Sequence, residues 1–321
     1  MNEIKYNFRN SLMGLLLSLS LACSKTDDPA SIVEIMPKGL DYSPNILLII
    51  ADDMGVEATP GYGLGTIQPH MPNLTQLQAS GLTYDNVWSA PMCAPTRASI
   101  ITGKYGINSR VLNTSNAGTL PETETTIQAY LDQQLGNLYA TALIGKWHLS
   151  NNENNRPNEM GIDHFAGLIP GTITNYNQWE LTINGQTSTN EEYITTKLTD
   201  LAIEWVNGQE KPWFCWLAYT APHSPFHLPP AEMHSQGNLV DDPASIEVNP
   251  RPYYMAMIES IDYEIGRLLS KIPTAERENT VVIFVGDNGT PESVIQSPFL
   301  SNRSKGSLYQ GGVHVPLVVS G

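Results

Sequence analysis

Cysteine is nearly missing from this chain, with three among 321 residues, too few for a disulfide framework. Positive charge is scarce as well: 17 lysines and arginines stand against 32 aspartates and glutamates, a net charge of −15 and a sequence pI near 4.8. That imbalance excludes a general nucleic-acid or anionic-membrane binder, because polyanions repel an acidic surface. A small anionic substrate remains open, since a site can be basic within an acidic protein. Charged residues of both signs reach only 15%, and Asn, Thr, Ser, Gly and Pro take their place, a neutral-polar balance that suits an exported protein. The apolar run at the N-terminus, Leu12–Leu21, falls short of the ~20 residues a membrane-spanning helix needs. No internal repeat is present. What the chain does have is 41% hydrophobic residues, enough for the core of one large α/β domain or two smaller domains.

Lys5 and Arg9 precede the N-terminal run, which ends Ser20-Leu21-Ala22-Cys23-Ser24. A basic start, a short apolar stretch and a small residue before cysteine resemble a bacterial lipoprotein signal, in which that cysteine is lipidated and becomes the mature N-terminus. Ser20 stands where the pattern prefers leucine, and a plain secretory signal is the alternative. Residues 1–23 are expected to be this signal, 24–43 a tether and 44–321 the folded domain. The protein is then exported to the periplasm or cell surface and meets the membrane only through its lipid anchor.

From Pro44 onward, short apolar runs alternate with helical periods, which predicts an α/β fold with a mostly parallel central sheet flanked by helices. Strands are expected at Asn45–Ala51, Tyr139–Ile144, Trp213–Tyr219, Thr280–Val285 and Val313–Val319. Helices are expected at Pro72–Ser80, Ala94–Thr102, Thr125–Leu135, Glu192–Val206 and Tyr253–Ile272, the first two closed by Gly81 and Gly103. Asn151–Asn190 and Phe226–Arg251 lack a period and read as loop-rich insertions. Within them His227, His234 and Trp179 are expected on surface loops, and Cys215 reads as a core thiol.

Polar groups recur where the strands end. The first runs into Asp52-Asp53 and the fourth into Asp287-Asn288; ligands of open α/β sheets sit beyond such carboxyl ends. Either pair alone would pass as a turn or helix cap. Together they make an oxygen-rich nest for a hard divalent cation, Ca²⁺ or Mg²⁺. The second strand runs on to Lys146 and His148 and the third to His223, groups that with a metal would hold a tetrahedral oxyanion. Cys93 stands where a helix begins, with Arg97 one turn on, and a helix N-terminus and a guanidinium both favour an anion there.

The stretch Cys93-Ala94-Pro95-Thr96-Arg97 resembles the C-x-P-x-R signature of the type I sulfatases, in the alkaline phosphatase superfamily. Asn45–Asp53, Met71–Leu74, Gly145–His148, Ala221–Pro225, Val285–Gly289 and Lys305–Leu317 follow the family's motifs in order. The resemblance implies an alkaline phosphatase-like fold and hydrolysis of sulfate monoesters, of aryl or carbohydrate alcohols. It implies that Cys93 is oxidised by a formylglycine-generating enzyme, and that one hydroxyl of the hydrated aldehyde attacks sulfur while the other expels sulfate. Asp52, Asp53, Asp287 and Asn288 match the ligands of the family's metal, normally Ca²⁺, with the oxygen at residue 93 completing the shell. Arg97 and Lys146 would hold the hydroxyls, His148 would take the proton that triggers release, and His223 and Lys305 would contact sulfate and the leaving oxygen. The substrate would be a sulfated small molecule or polysaccharide. A phosphate or phosphonate ester hydrolase of the same superfamily, and a non-catalytic binder of sulfated glycans, stay open as alternatives.

Family members continue past the Val-Pro-Leu segment into a smaller C-terminal subdomain, whereas this sequence stops at Gly321. An incomplete catalytic domain is expected, with apolar surface exposed near Val315, Leu317 and Val319.

Overall fold

The computed structural model describes residues 43–321 apart from 116 and 117; the expected signal, tether and lipidated Cys23 lie outside the described residues. In chain order the strands are β1 (Asn45–Ala51), β2 (Leu82–Thr83), β3 (Ala140–Lys146), β4 (His164–Leu168), β5 (Trp179–Ile183), β6 (Gln186–Asn190), β7 (Trp213–Ala218), β8 (Thr280–Gly286) and β9 (Leu317–Ser320). The longer helices are α1 (Pro72–Ser80), α2 (Cys93–Thr102), α3 (Ile127–Leu135), α4 (Ile194–Asn207) and α5 (Arg251–Lys271). All the strands join one sheet in the order β2-β9-β8-β1-β7-β3-β4-β5-β6. Its centre, from β8 to β4, is parallel, and antiparallel strands extend it on both sides.

Side-chain alternation in β1 explains the layering. Leu47, Ile49 and Ala51 pack with Leu74 of α1, Leu198 and Ala202 of α4 and Ile261 of α5. Leu48 and Ile50 point the other way, toward Ala94, Ala98 and Ile101 of α2. A strand covered on both faces must be apolar throughout, which is why β1 reads as a continuous aliphatic run. Each fully buried Leu or Ile contributes about 2 kcal/mol of transfer free energy, so the sheet centre is a stiff platform for whatever its strand ends carry. Gly103 closes α2 in the left-handed region at φ 66° and donates its N–H to Ser99 O at 2.9 Å. Gly81 stops α1 for another reason: it is extended, and a Cβ there would stand 2.2 Å from Val319 O.

Expectations for two segments are corrected by the structure. Asn151–Asn190 is not loop throughout: β4 lies parallel to β3, and β5 and β6 form a hairpin. That hairpin turns at Asn184-Gly185, with φ of 44° and 82°, both positive as a two-residue hairpin turn demands. Trp179, expected on the surface, is buried in β5. Val313–Val319 is not a single strand either. Gln310–Val313 forms a helical turn, and β9 starts only at Leu317, after Pro316, and runs antiparallel to β8. Val315, expected to be exposed, is fully buried among the side chains on the α2 face, while Leu317 and Val319 are half-buried beside β2.

Candidate active site

The strand register alone brings the two acidic pairs together. β1 and β8 are parallel neighbours with Ala51 opposite Gly286, so Asp52 and Asp287 leave the sheet side by side, and Asp287 N donates to Ala51 O at 3.1 Å. Asp53 turns back in the left-handed region at φ 72°, and its N–H donates to Asp287 Oδ1 at 3.0 Å. Asn288 Nδ2 donates to Asp53 Oδ1 at 2.7 Å. β7 and β3, next along the sheet, deliver His223 and the pair Lys146 and His148 to the same end. α2 brings Cys93 and Arg97 from the face it covers, and the loop before the Gln310–Val313 turn brings Lys305. All ten residues singled out in the sequence therefore meet at one place, the carboxyl end of the parallel strands.

Three carboxylates there face three cations. Arg97 Nε and Nη2 donate to Asp287 Oδ2 at 3.0 and 2.8 Å, and its Nη1 donates to Lys146 O at 2.9 Å. Lys146 Nζ contacts Asp52 Oδ2 closely, and Lys305 Nζ lies 2.6 Å from Asp53. His223 Nε2 is 3.7 Å from Asp53 Oδ2. Burial would raise Asp52, but Lys146 foremost, with His223 and Arg97, holds it below the usual carboxylate value. For Asp287 burial and the charge of Asp52 win, and its value is raised. Burial opposes the charge of Lys305, yet Asp53 and Asp52 raise it.

Cys93 is the first residue of α2 and is buried. Its Sγ lies 3.3 Å from His148 Nδ1; neither Arg97 nor Lys146 makes a hydrogen bond to it. Burial, with Asp52, Asp287 and Asp53, raises the thiol, and a thiol kept protonated is a poor nucleophile. Burial pushes His148 down to about 2, helped by the charges of Lys146 and Arg97, so this imidazole is uncharged beside residue 93.

Two residues that place the site were not anticipated. Gly171 follows β4 closely, and a Cβ on it would stand 2.1 Å from His148 Nε2; the imidazole occupies the space only glycine leaves. Tyr176 OH donates to His223 O at 2.6 Å and lies 3.0 Å from Thr220 O, fixing the loop that carries His223. The apolar Phe165–Ile169 run ending in Pro170-Gly171 had the same form as the other strand-to-site junctions, and its brevity hid it. Gly171→Ala is expected to displace the His148 ring and lower turnover at least a hundredfold with Tm within a few degrees of wild type; steady-state kinetics beside a thermal melt checks this. Turnover within threefold of wild type would contradict the assigned position of His148.

The site also fits a hard cation. Asp52 Oδ1 and Asn288 Oδ1 are buried without a hydrogen-bond partner, a costly state for polar oxygens. One ligand atom each from Asp52, Cys93 and Asp287 lies within 4.8 Å of the others, and the same holds for Asp52, Asp53 and His223. The carboxylate and amide oxygens of Asp52, Asp53, Asp287 and Asn288 are hard donors of the kind that divalent cations such as Ca²⁺ take.

A family model described as Sulfatase matches residues 44–321. Among curated proteins the chain is 28% identical to the uncharacterized sulfatase YdeN of Escherichia coli, over 85% of this chain and 57% of that one. It is also 28% identical to mouse arylsulfatase J, over 86% and 48%, and 27% identical to human N-acetylgalactosamine-6-sulfatase, over 87% and 57%. The chain thus spans about half the length of these relatives. Among solved structures it is similar to Ps i-CgsB in complex with k-i-k-neocarrahexaose, with a TM-score of 0.72 and 26% identity over 87% of this chain and 66% of that one. PsFucS1 sulfatase from Pseudoalteromonas sp. aligns with a TM-score of 0.68 and 25% identity over 91% and 65%. With a family model matching residues 44–321 and an alkaline phosphatase-like sheet beneath the site, the chain belongs to the sulfatase family.

Proposed function

We propose that this protein hydrolyses sulfate monoesters of carbohydrates, releasing inorganic sulfate, after Cys93 has been converted to formylglycine by a maturation enzyme. The observation that carries this reading is the convergence of Cys93, His148, three cations and three carboxylates at one end of the sheet in a sulfatase-family chain. The carboxylates and cations balance as they stand, so an anionic ester needs further positive charge. A Ca²⁺ ion held by Asp52, Asp53, Asp287, Asn288 and the oxygen at residue 93 would supply that charge and polarise the sulfate group. The hydrated aldehyde would supply a nucleophilic oxygen, which the raised thiol does not, and a second hydroxyl for release. His148, in contact with residue 93, accepts the proton whose loss drives release. His223 and Lys305 lie beside Asp53, where they would stabilise the leaving oxygen. Arg97 and Lys146 hold the carboxylates in place and neutralise charge at residue 93. Carbohydrate sulfate is favoured over aryl sulfate by two relatives: one is named an N-acetylgalactosamine-6-sulfatase, and the other holds neocarrahexaose.

Mass analysis of the peptide carrying residue 93, from protein made in a host able to form formylglycine, tests the maturation step; an unmodified thiol in active protein overturns it. Paired kinetics on sulfate and phosphate esters of the same alcohol test the reaction. Preference for phosphate would transfer the protein to a phosphate ester hydrolase reading. Chelation is expected to abolish turnover and lower Tm, with Ca²⁺ or Mg²⁺ restoring both; active protein free of divalent metal refutes the metal nest.

We further propose that the protein is exported and lipid-anchored through Cys23. Fractionation of cells making wild type or Cys23→Ala decides this, since wholly soluble wild type leaves only a secretory signal.

A further inference from the structure

Glu57 is a carboxyl that the chemistry above leaves unused. It lies in the turn Val56–Ala58, four residues past Asp53, and is fully buried. Neither of its side-chain oxygens makes a hydrogen bond of ordinary geometry, and no described basic residue pairs with it. A Cβ on Gly55 would stand 2.5 Å from Glu57 Oε2 and 2.9 Å from Thr290 Oγ1, so carboxyl and hydroxyl press on the same glycine. Thr290 Oγ1 accepts the Gly55 N–H at 3.1 Å and lies 3.3 Å from Tyr254 OH, which donates to Asp53 O at 2.8 Å. Thr290 O accepts the Lys305 N–H at 3.0 Å. Glu57 therefore abuts the clamp that ties the Asp52–Gly55 turn to the Asp287–Thr290 turn.

A carboxylate in that place would be a buried charge without a counter-ion. We propose that Glu57 is a positioning residue carried in its protonated form, a neutral wedge beneath the two ligand-bearing turns, and that its ionisation loosens the clamp between them. Among the described residues, the groups that interact with it are Gly55 from its own turn, Thr290 from the neighbouring turn and Tyr254 from α5, and Tyr254 alone of these titrates. Burial, opposed by the Thr290 hydroxyl and its own backbone amide, pushes Glu57 up to about 7. The folded value thus lies above the ordinary value of 4.5. The stability carried by the protonated form is complete below that ordinary value and is lost as pH rises to about 7.

The test compares the full protein with Glu57→Gln, calcium-loaded and chelated, from pH 5 to 8.5. In wild type, infrared spectra should show a protonated-carboxyl stretch that disappears near neutral pH and is absent from Glu57→Gln. The wild-type Tm should fall by several degrees more than that of Glu57→Gln across this range, and the matching limb of the turnover profile should be missing from the variant. A band unchanged in Glu57→Gln, or identical pH profiles of Tm in the two proteins, overturns the proposal. Should Glu57→Gln not fold, Thr290→Val replaces it: loss of the hydroxyl should move the wild-type transition to higher pH, and an unmoved transition counts against the wedge. The turnover arm rests on the proposed hydrolase reading, whereas the spectra and melts need no substrate, so the two readings can fail separately.

Discussion

Cys93→Ala is expected to lower sulfate release by roughly four orders of magnitude or more, the scale on which loss of a catalytic nucleophile acts, while Tm falls by only a few degrees. The first half follows from place and chemistry. Residue 93 opens α2, touches His148 at 3.3 Å and has its Sγ within 4.8 Å of a carboxylate oxygen of both Asp52 and Asp287, and an alanine methyl can be neither oxidised to an aldehyde nor ligate a cation. The second half follows from packing. The sulfur is one atom at the edge of the core, and its removal leaves α2 held by Ala94, Ala98 and Ile101, a cost of about 1 kcal/mol. Sulfate release assayed beside a thermal melt separates the two effects. Turnover near wild type in the alanine protein would end the formylglycine reading.

Arg97→Lys is expected to lose activity at least a hundredfold and, unlike Cys93→Ala, to lose about 2–4 kcal/mol of stability as well. The guanidinium is 1% exposed and spends three N–H donors on two acceptors of different strands: Asp287 Oδ2 past β8, and Lys146 O at the end of β3. An ammonium is a single point on a shorter reach and cannot serve both. Either Asp287 keeps a weakened partner or the Lys146 carbonyl is left buried and unpaired. In both cases the spacing between the metal nest and Lys146 changes. Urea unfolding and steady-state kinetics on the same preparation measure this, and a variant within tenfold of wild type in turnover and within 1 kcal/mol in stability would show that charge alone matters there.

The chemistry of the site was legible in the residues because it is written in local junctions. An apolar run ending in Asp52-Asp53, another ending in Asp287-Asn288, and Cys93 with Arg97 at a helix start are patterns within a few residues of chain. The parallel core was legible too, since a strand buried on both faces must be apolar throughout, as Asn45–Ala51 nearly is. Where two rules compete over short spans, reading the residues failed. β4 has five residues, too few to show a period, and the aliphatic stretch to Val319 concealed Pro316 between a helical turn and β9.

The tertiary structure alone decided which of these junctions are neighbours. Nothing local pairs Ala51 with Gly286; the parallel register does, and it sets Asp52 beside Asp287 from positions more than 230 residues apart. Nothing local assigns Asp52 to Lys146, Asp53 to Lys305 or Asp287 to Arg97 either. Those pairings arise because burial at the strand ends forces each charge to find its opposite across the sheet. The same holds for Gly171, which makes room for His148, and for Glu57, which meets Thr290 only after 233 residues of chain have returned. The sequence by itself determined the fold class and the kinds of groups at the site. Contacts between distant segments, which depend on burial and register and leave no periodic mark, determined how those groups are held.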